Sequence, residues 1–435
     1  MLNVLLFIFI YIAGFVTTFR LGAFYAFPLY QLVYFFSPGQ RWWSSSIPSL
    51  SYSKFTVLLM LVMFFIGFKK YSSNKVFNVP QFKWIYLILI TYFIAAIDPI
   101  LPFFHTDTTI NFLKLVIIIT IAYKVVTHEK QLKIIVWTYV AGCWYMSFYI
   151  FQIGRNAGDR VEGIGTVDAP TSNAIAAALA PSVVLCLYRF WAATSWHGRI
   201  FIAVVGAFIA NAIVLINSRG SFLAVSVSIL YFITYLFFSK MQKKYQKLTV
   251  IWIVIFGLSG ALYIVDASFI ERMSSITEVK KDTEKENAAT RTIFWAAAWD
   301  MAKDYPLGVG SRGFEYYAPI YIPKNVDTGK SRNRAVHSTW FQALSENGYL
   351  GLIFLIALII SCFRANKACK KIFMKSKDIH RYFFVVAIEA TLVSFLVSMT
   401  FINRYAAEVL FWLILFSACA YNIYVNKKDE LDTVK

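Results

Sequence analysis

One histidine stands where a proton acceptor could act, at the end of the only long polar stretch of an apolar chain. His337 opens the run HSTWFQALSENGYLG. An imidazole gains and loses a proton near neutral pH, so His337 is a candidate general base. Glu346, nine residues later, would lie on roughly the same side of a helix, where it could contact substrate, orient a neighbour or cap the helix. A histidine at this place could also be a structural residue at a helix start.

Two arginines offer charge for an anionic substrate. Arg219 lies in NSRGSFL between two apolar runs, with the small neighbours Gly220 and Ser221 leaving room for a ligand. A guanidinium fork binds phosphate well, although an arginine here could also snorkel from a helix end to the membrane surface. Arg291 begins a predicted helix, where its side chain and the free backbone N–H groups would together attract an anion.

Two further arginines are weaker candidates for substrate binding. Arg160 lies in GDRVEG and Arg272 in ERM, where Arg272 could simply anchor the end of a span. The sequence has no HExxH, Walker A or GxSxG motif and no outward-facing DxD pair. We therefore expect no metal and no other cofactor, and arginines are the available partners for a phosphorylated substrate.

The composition is that of a membrane protein. Of 435 residues, 59% are hydrophobic and 15% are charged, and the mean hydropathy is +0.60. A soluble domain cannot bury so much apolar surface. The net charge of +19 comes mostly from short loops between apolar runs, so we expect contact with membrane lipids and no nucleic acid. The five cysteines are predicted to be packing residues without a disulfide or metal role.

The expected fold is an all-α polytopic membrane protein with about 12, possibly 13, transmembrane helices and one large periplasmic loop containing short helices. The ambiguity lies at the N-terminus, where TTFR separates two short apolar runs that form either two spans or one broken span. The apolar stretches are 2–18, 21–37, 54–68, 83–102, 110–126, 132–152, 174–192, 200–217, 221–238, 248–267, 349–363, 383–402 and 406–425.

Basic residues concentrate in every second connection, which predicts that those connections face the cytoplasm. The loop from Arg364 to Arg381 is one of them. Arg219 and His337 then fall on the outer side. Four regions follow: N-terminal spans in 1–267, a large outer loop with the catalytic residues in 268–348, C-terminal spans in 349–425 and a cytoplasmic tail in 426–435.

The outer loop predicts two short helices. Residues 291–302 form an amphipathic pattern that PLGVG at 306–310 ends, because proline and glycine break helices. Residues 338–346 form a second helical pattern, ended by Asn347-Gly348.

Taken together, these segments resemble the O-antigen ligase and O-antigen polymerase superfamily. The similar pieces are SRGSFL at 218–223, TRTIFW at 290–295, PLGVG at 306–310 and the run from His337 to Gly351, in this order. The chain also resembles one branch, the O-glycosylation ligases found beside exosortase systems, in residues 20–41, 160–173 and 271–273.

The resemblance implies a reaction and a place for it. Arg219 and Arg291 would clasp the diphosphate of an undecaprenyl-linked glycan, and His337 would deprotonate the acceptor hydroxyl, with inversion at the sugar and without a metal. The acceptor would be lipid A-core, a protein or another glycan. The protein would be a multi-pass component of lipopolysaccharide or polysaccharide biosynthesis in the bacterial inner membrane, with its site facing the periplasm.

Two alternatives stay open. A polymerase that joins lipid-linked repeat units would use the same donor, base and fold, so only the acceptor distinguishes it from the ligase, which we favour on the branch resemblance. A transporter of lipid-linked glycans would instead show charged residues at mid-span and inverted repeats.

Overall fold

A computed structural model describes residues 2–265, 267, 269–270, 288–325, 328 and 331–427. These residues form helices and connecting loops, with one isolated β-bridge between Ala157 and Arg160. The main helices are α1 (Leu2–Leu21), α2 (Ala26–Phe36), α3 (Tyr52–Ile66), α4 (Pro80–Ala95), α5 (Pro102–Val125), α6 (Glu129–Ile153), α7 (Ser172–Ala192), α8 (Trp196–Ile216), α9 (Arg219–Phe238), α10 (Gln246–Ile264), α11 (Ala288–Asp304), α12 (Gly313–Tyr321), α13 (Thr339–Ser376), α14 (Ile379–Met399) and α15 (Glu408–Tyr421).

Among the described residues, nine helices are long and apolar enough to cross a membrane, or ten if α3 and the following Phe68–Asn78, bent by 90°, form one span. The protein is therefore a multi-pass α-helical membrane protein, as predicted. Two further apolar segments, α4 and Gln246–Gly260, are shorter. The apolar stretch at 21–37 holds α2, a helix of only 11 residues, which is too short to span alone. The number of 12 or 13 spans stays a prediction.

The helices differ in what they face. α1 exposes large apolar side chains along its length, with Leu2, Phe9 and Phe19 exposed by 78%, 71% and 69%. Such a surface suits lipid contact. α14 and α15 are instead buried on nearly all sides. Trp412 of α15 lies among the aromatic rings of Phe27, Tyr30, Tyr34, Phe35 and Tyr139.

The predicted basic loop from Arg364 to Arg381 is wrong in its first part, because α13 continues to Ser376. Ala365, Cys369 and Phe373 recur every four residues and are all buried, which is the stripe that holds a helix against a neighbour. All five cysteines are buried thiols.

The two helices predicted within residues 291–346 are confirmed, while the outer position of this region stays a prediction. The first is α11, which starts three residues before Arg291 and ends at Asp304. The second is the first part of α13, which begins at Thr339 and leaves helical geometry at Gly348 (φ 71°, ψ −171°). Together with α12, they form a small core of their own, whose buried members are Phe294, Ala297, Ala298, Met301, Val309, Phe314, Ala318, Ile322 and Val336.

The PLGVG turn docks backbone to backbone on the break in α13. The Val309 and Gly310 N–H groups donate to the carbonyls of Ser345 and Glu346, both at 3.0 Å. These bonds satisfy carbonyls that a helix end leaves without partners. Gly308 and Gly348 have φ of 87° and 71°, and a Cβ on either would overlap the backbone of the facing segment. Two motifs that are separate in sequence are therefore one structural unit.

Candidate active site at one end of the bundle

His337 lies just before α13 and has a positive φ of 51°. Its neighbour Ser338 donates its backbone N–H to Asn403 Oδ1 at 3.0 Å. Thr339 donates its hydroxyl to the Ile402 carbonyl at 2.7 Å and accepts the Arg404 N–H at 2.9 Å. Residues 400–407, which connect α14 to α15 and are called the 400–407 loop below, therefore fix the segment that carries the imidazole.

Two side chains of α13 extend this attachment. The Trp340 indole N–H donates to Thr400 Oγ1 at 3.0 Å, and Gln342 Oε1 accepts the Tyr405 N–H at 3.3 Å. The contacts cross 60 or more residues of sequence. The first turn of α13 is thus held along its length by the same loop.

Arg291 reaches the same region through α11. The Trp295 indole N–H donates to the Val336 carbonyl at 3.1 Å, and the Trp295 ring stacks on Phe341 with 5.4 Å between centroids. Arg291 is four residues before Trp295, so both lie on one face of α11, about 5.4 Å apart along the axis. Trp295 thus contacts the backbone next to His337, and Arg291 lies one helical turn from Trp295.

Arg219 is the first residue of α9, at the same end of the bundle. Asn217, with a φ of 58°, ends α8 and allows the chain to reverse into α9. Gly220 lies so close to Phe401 that a Cβ on it would be 3.3 Å from the Phe401 Cβ. The 400–407 loop therefore contacts the first turn of α9 as well as the His337 segment.

Arg160 lies in residues 154–171, the 154–171 loop, beside the α8–α9 junction, where Asp159 accepts a hydrogen bond from the Asn217 amide at 3.4 Å. Its guanidinium is 3.0 Å from a Glu162 carboxylate oxygen and donates to Asn173 Oδ1 at 3.1 Å. Arg160 is thus near Arg219 in the fold but paired with a carboxylate. Its contact with substrate stays a prediction.

An ion pair between Asp168 and Arg404 joins the 154–171 loop to the 400–407 loop. No local sequence pattern predicts this pair. Arg404 donates to the Asp168 carbonyl at 2.5 Å and to its carboxylate, and Tyr34 donates to the same carboxylate at 2.9 Å. The Arg404 and Asp168 side chains expose only 9% and 16% of their surface. The available signal was Arg404 in a short connection between two apolar runs. Nothing in the sequence around it identifies its partner, which precedes it by 236 residues.

Glu346 is turned into the protein. This residue is 5% exposed, and its carboxylate accepts the Arg312 backbone N–H at 3.1 Å and the Gln342 amide at 3.2 Å. It therefore ties the start of α12 to α13, and its contact with substrate stays a prediction. The remaining candidate, Arg272, lies outside the described residues.

A tyrosine hydroxyl joins the ends of α11 and α12. Tyr321 of α12 donates to Asp304 Oδ2, at the end of α11, at 2.6 Å. Burial and this carboxylate raise the pKa of Tyr321, so the phenol stays a donor at neutral pH. The hydrogen bond therefore holds together α11 and α12, which share the small hydrophobic core described above.

The arrangement combines an imidazole with guanidinium groups at one end of a membrane bundle. Among the described residues, no three His, Cys, Asp or Glu side chains converge as metal ligands would. The chemistry available from these side chains is proton transfer together with stabilisation of an anion. Whether the reaction is independent of metals stays a prediction.

Comparison with known proteins bears on the same region. The family model described as O-antigen ligase matches residues 204–356. The matched segment contains Arg219, Arg291 and His337 and ends before the 400–407 loop. No curated protein matches the chain. The match covers the segment that carries the candidate base and both arginines, so this part of the chain is similar to the O-antigen ligase family.

Proposed function

We propose that this protein is a membrane glycosyltransferase that moves a glycan from undecaprenyl diphosphate to an acceptor hydroxyl. One observation carries the proposal: the 400–407 loop contacts both the His337 segment and the first turn of α9, while Trp295 joins α11 to the carbonyl before His337. A base and two arginines that are distant in sequence thus belong to one end of the bundle.

The reaction follows from these groups. His337 takes the proton of the acceptor hydroxyl, whose oxygen attacks the sugar C1 from the face opposite the diphosphate, with inversion. The C1–O bond to the diphosphate breaks, and its electron pair leaves on the diphosphate oxygen. Arg219 and Arg291 offset the charge that develops there. A general base typically contributes about 10²–10⁴ in rate, and one donor to a developing anion about 10²–10³.

The acceptor that we favour is lipid A-core or a protein hydroxyl, which makes the protein a ligase. The resemblance of residues 20–41 and 160–173 to the exosortase-associated ligases supports this choice. The protein would act in the bacterial inner membrane. The end of the bundle that carries the candidate site would face the periplasm, and the alternation of basic loops supports this orientation. Arg160 and Arg272 are proposed as additional contacts to the substrate.

The test uses a strain that lacks this protein, complemented with wild type, His337→Ala or Arg219→Ala, and with His197→Ala as a matched control. His197 is exposed and lies at the start of α8, at the opposite end of that helix from Arg219. Surface glycan and extracted lipid-linked glycan are compared on gels, with protein levels measured in membranes.

The proposal expects mature glycan to disappear in the first two variants and long lipid-linked chains to accumulate, while His197→Ala behaves as wild type. Accumulation of single lipid-linked units would instead identify a polymerase. Wild-type glycan in both site variants would contradict the catalytic assignment and favour a transporter.

A further inference from the structure

A third arginine, Arg334, lies between the candidate base and α11. It precedes His337 by three residues, and its guanidinium carbon is 5.0 Å from the centroid of the Phe294 ring. Phe294 follows Arg291 by three residues on α11, and residues so spaced are neighbours on a helix surface. The Arg334 guanidinium therefore covers the patch of α11 next to Arg291.

Among the described residues, the contacts of Arg334 do not include a carboxylate that would offset its charge. Its guanidinium donates to the Thr328 carbonyl and rests on an aromatic ring, both of them neutral groups. Its Nε is buried and has no hydrogen-bond partner among the described residues. A cation bound to neutral groups keeps its attraction for an anion, and a ring beneath the plane of a guanidinium holds it in one orientation.

Arg160 differs from Arg334 because it is paired with a carboxylate. It also lies near the site end, but it faces the Glu162 carboxylate at 3.0 Å. An arginine paired in this way has part of its charge already offset. Of Arg160 and Arg334, the second is thus the better partner for a substrate anion.

In the proposed reaction the leaving diphosphate becomes more negative, so a third cation beside it would stabilise the transition state. A glycan-linked diphosphate carries two negative charges on its phosphates. When the C1–O bond breaks, the leaving diphosphate gains a third charge, while the acceptor proton goes to His337. Groups that meet charge only as it develops lower the barrier more than groups that bind donor and transition state equally.

We propose that Arg334 is a further catalytic residue, a third cation that contacts the departing diphosphate beside Arg291. This inference rests on the proposed function and adds a residue to it. The competing explanation is that Arg334 only packs on Phe294 and holds the Thr328 carbonyl.

The chain offers a matched control two residues away. Arg332 belongs to the same segment, but its guanidinium donates to the carbonyls of Ile322 and Pro323 at the end of α12. Arg332→Met and Arg334→Met each remove one cation and keep an apolar stem. Arg334→Lys keeps the charge and loses the planar stack on Phe294.

The experiment uses full-length protein in lipid nanodiscs with undecaprenyl-diphosphate-linked glycan as donor. We measure kcat, the KM for donor and inhibition by undecaprenyl diphosphate, with undecaprenol as the uncharged control lipid. Arg334→Met is expected to lower kcat by about 10²-fold, the order found when one donor to a developing anion is removed. Its inhibition by undecaprenyl diphosphate should weaken more than its KM for donor rises.

The inference further expects Arg334→Lys to retain most of the turnover and Arg332→Met to match wild type. It is overturned if Arg334→Met turns over as wild type does, if Arg332→Met is impaired equally, or if Arg334→Lys is as inactive as Arg334→Met. These outcomes leave the proposed function intact because wild type is active. A wild-type protein that transfers no lipid-linked glycan would overturn both.

Discussion

The conformation of His337 matters as much as its chemistry. A φ of 51° places it in the left-handed region, which few residues with a side chain adopt but which Asn and His tolerate better than most. Replacement by Ala would therefore change both the imidazole and the backbone preference. A replacement by Asn separates the two effects.

We predict that His337→Asn lowers kcat by about 10²–10⁴-fold, the usual contribution of a general base. The amount of folded protein should stay near that of wild type, because Asn accepts the same backbone conformation. The measurement is transfer of lipid-linked glycan by purified protein, normalised to the folded fraction. His197→Asn is the control, and wild-type turnover by His337→Asn would show that another group accepts the proton.

At the scale of single residues, the sequence predicts which residue types carry the site and their order along the chain. It does not predict which side chains contact each other in the fold. Arg219, Arg291 and His337 stand out because each lies in a distinctive short motif. Arg334 does not stand out from Arg332, since both are arginines in one polar segment and only the fold gives them different neighbours. The ion pair between the 154–171 and 400–407 loops is likewise missed, because a pair so distant in sequence leaves no local pattern.

At the scale of elements, the 400–407 loop is the part that positions the site. Asn403 is its most direct contact, because its side-chain oxygen accepts the N–H of the residue after His337. Small misplacements of a reacting group can lower rates about 10²-fold. The loop should therefore affect turnover without itself touching substrate.

We predict that Asn403→Ala lowers kcat by about tenfold or more with little change in the KM for donor. Asn403→Asp keeps an oxygen acceptor at the start of α13, where a negative charge is also favourable, and should retain most activity. Steady-state kinetics of both variants test this. Equal activity of Asn403→Ala and wild type would mean that His337 is positioned without this hydrogen bond.

The docking of the PLGVG turn on the break in α13 leads to a second prediction at this scale. Gly308→Ala and Gly348→Ala should each strongly reduce the yield of folded protein, because a positive φ alone costs about 1–3 kcal/mol and the added Cβ also meets backbone. Gly39→Ala is the control, since nothing lies within 4 Å of a Cβ there. Size-exclusion profiles and thermal unfolding in detergent measure the effect, and wild-type stability of both site variants would contradict it.

Helix positions within residues 288–348 were predictable because Pro, Gly and the Asn-Gly pair mark where helices end. The continuation of α13 past residue 363 was not predicted, since lysines and arginines there mimic a cytoplasmic loop. The four-residue spacing of Ala365, Cys369 and Phe373 was the signal that identifies it as a helix.

For the whole molecule, composition establishes a multi-pass membrane protein but not the number of spans. Contact with lipid and burial within the bundle both select apolar side chains. α2 is apolar because it is enclosed by neighbouring helices, whereas α1 is apolar because it faces outward. Sequence hydropathy gives the same signal for both, so the run at 21–37 looks like a span.

One ion pair inside the bundle links three helices. Lys370 Nζ of α13 is 2.6 Å from Glu389 Oε1 of α14 and 3.1 Å from the Tyr235 hydroxyl of α9. The two charged side chains expose only 9% and 4% of their surface. Tyr235 is 16 residues from Arg219, which is about 24 Å along a helix. The pair therefore lies far from the candidate site.

We predict that Lys370→Met and Glu389→Met each destabilise the protein by about 3–5 kcal/mol, because either leaves one buried charge without its partner. The double variant should recover much of this loss, since two apolar side chains replace the pair. Thermal unfolding of the full chain in detergent gives the comparison, with Lys303→Met as a control because the Lys303–Asp300 pair is half-exposed on α11. Turnover per folded molecule should stay near wild type in the double variant. Additive losses of stability from the two single changes would show that the two charges do not stabilise each other. A double variant that folds but is inactive would show that the pair also supports turnover.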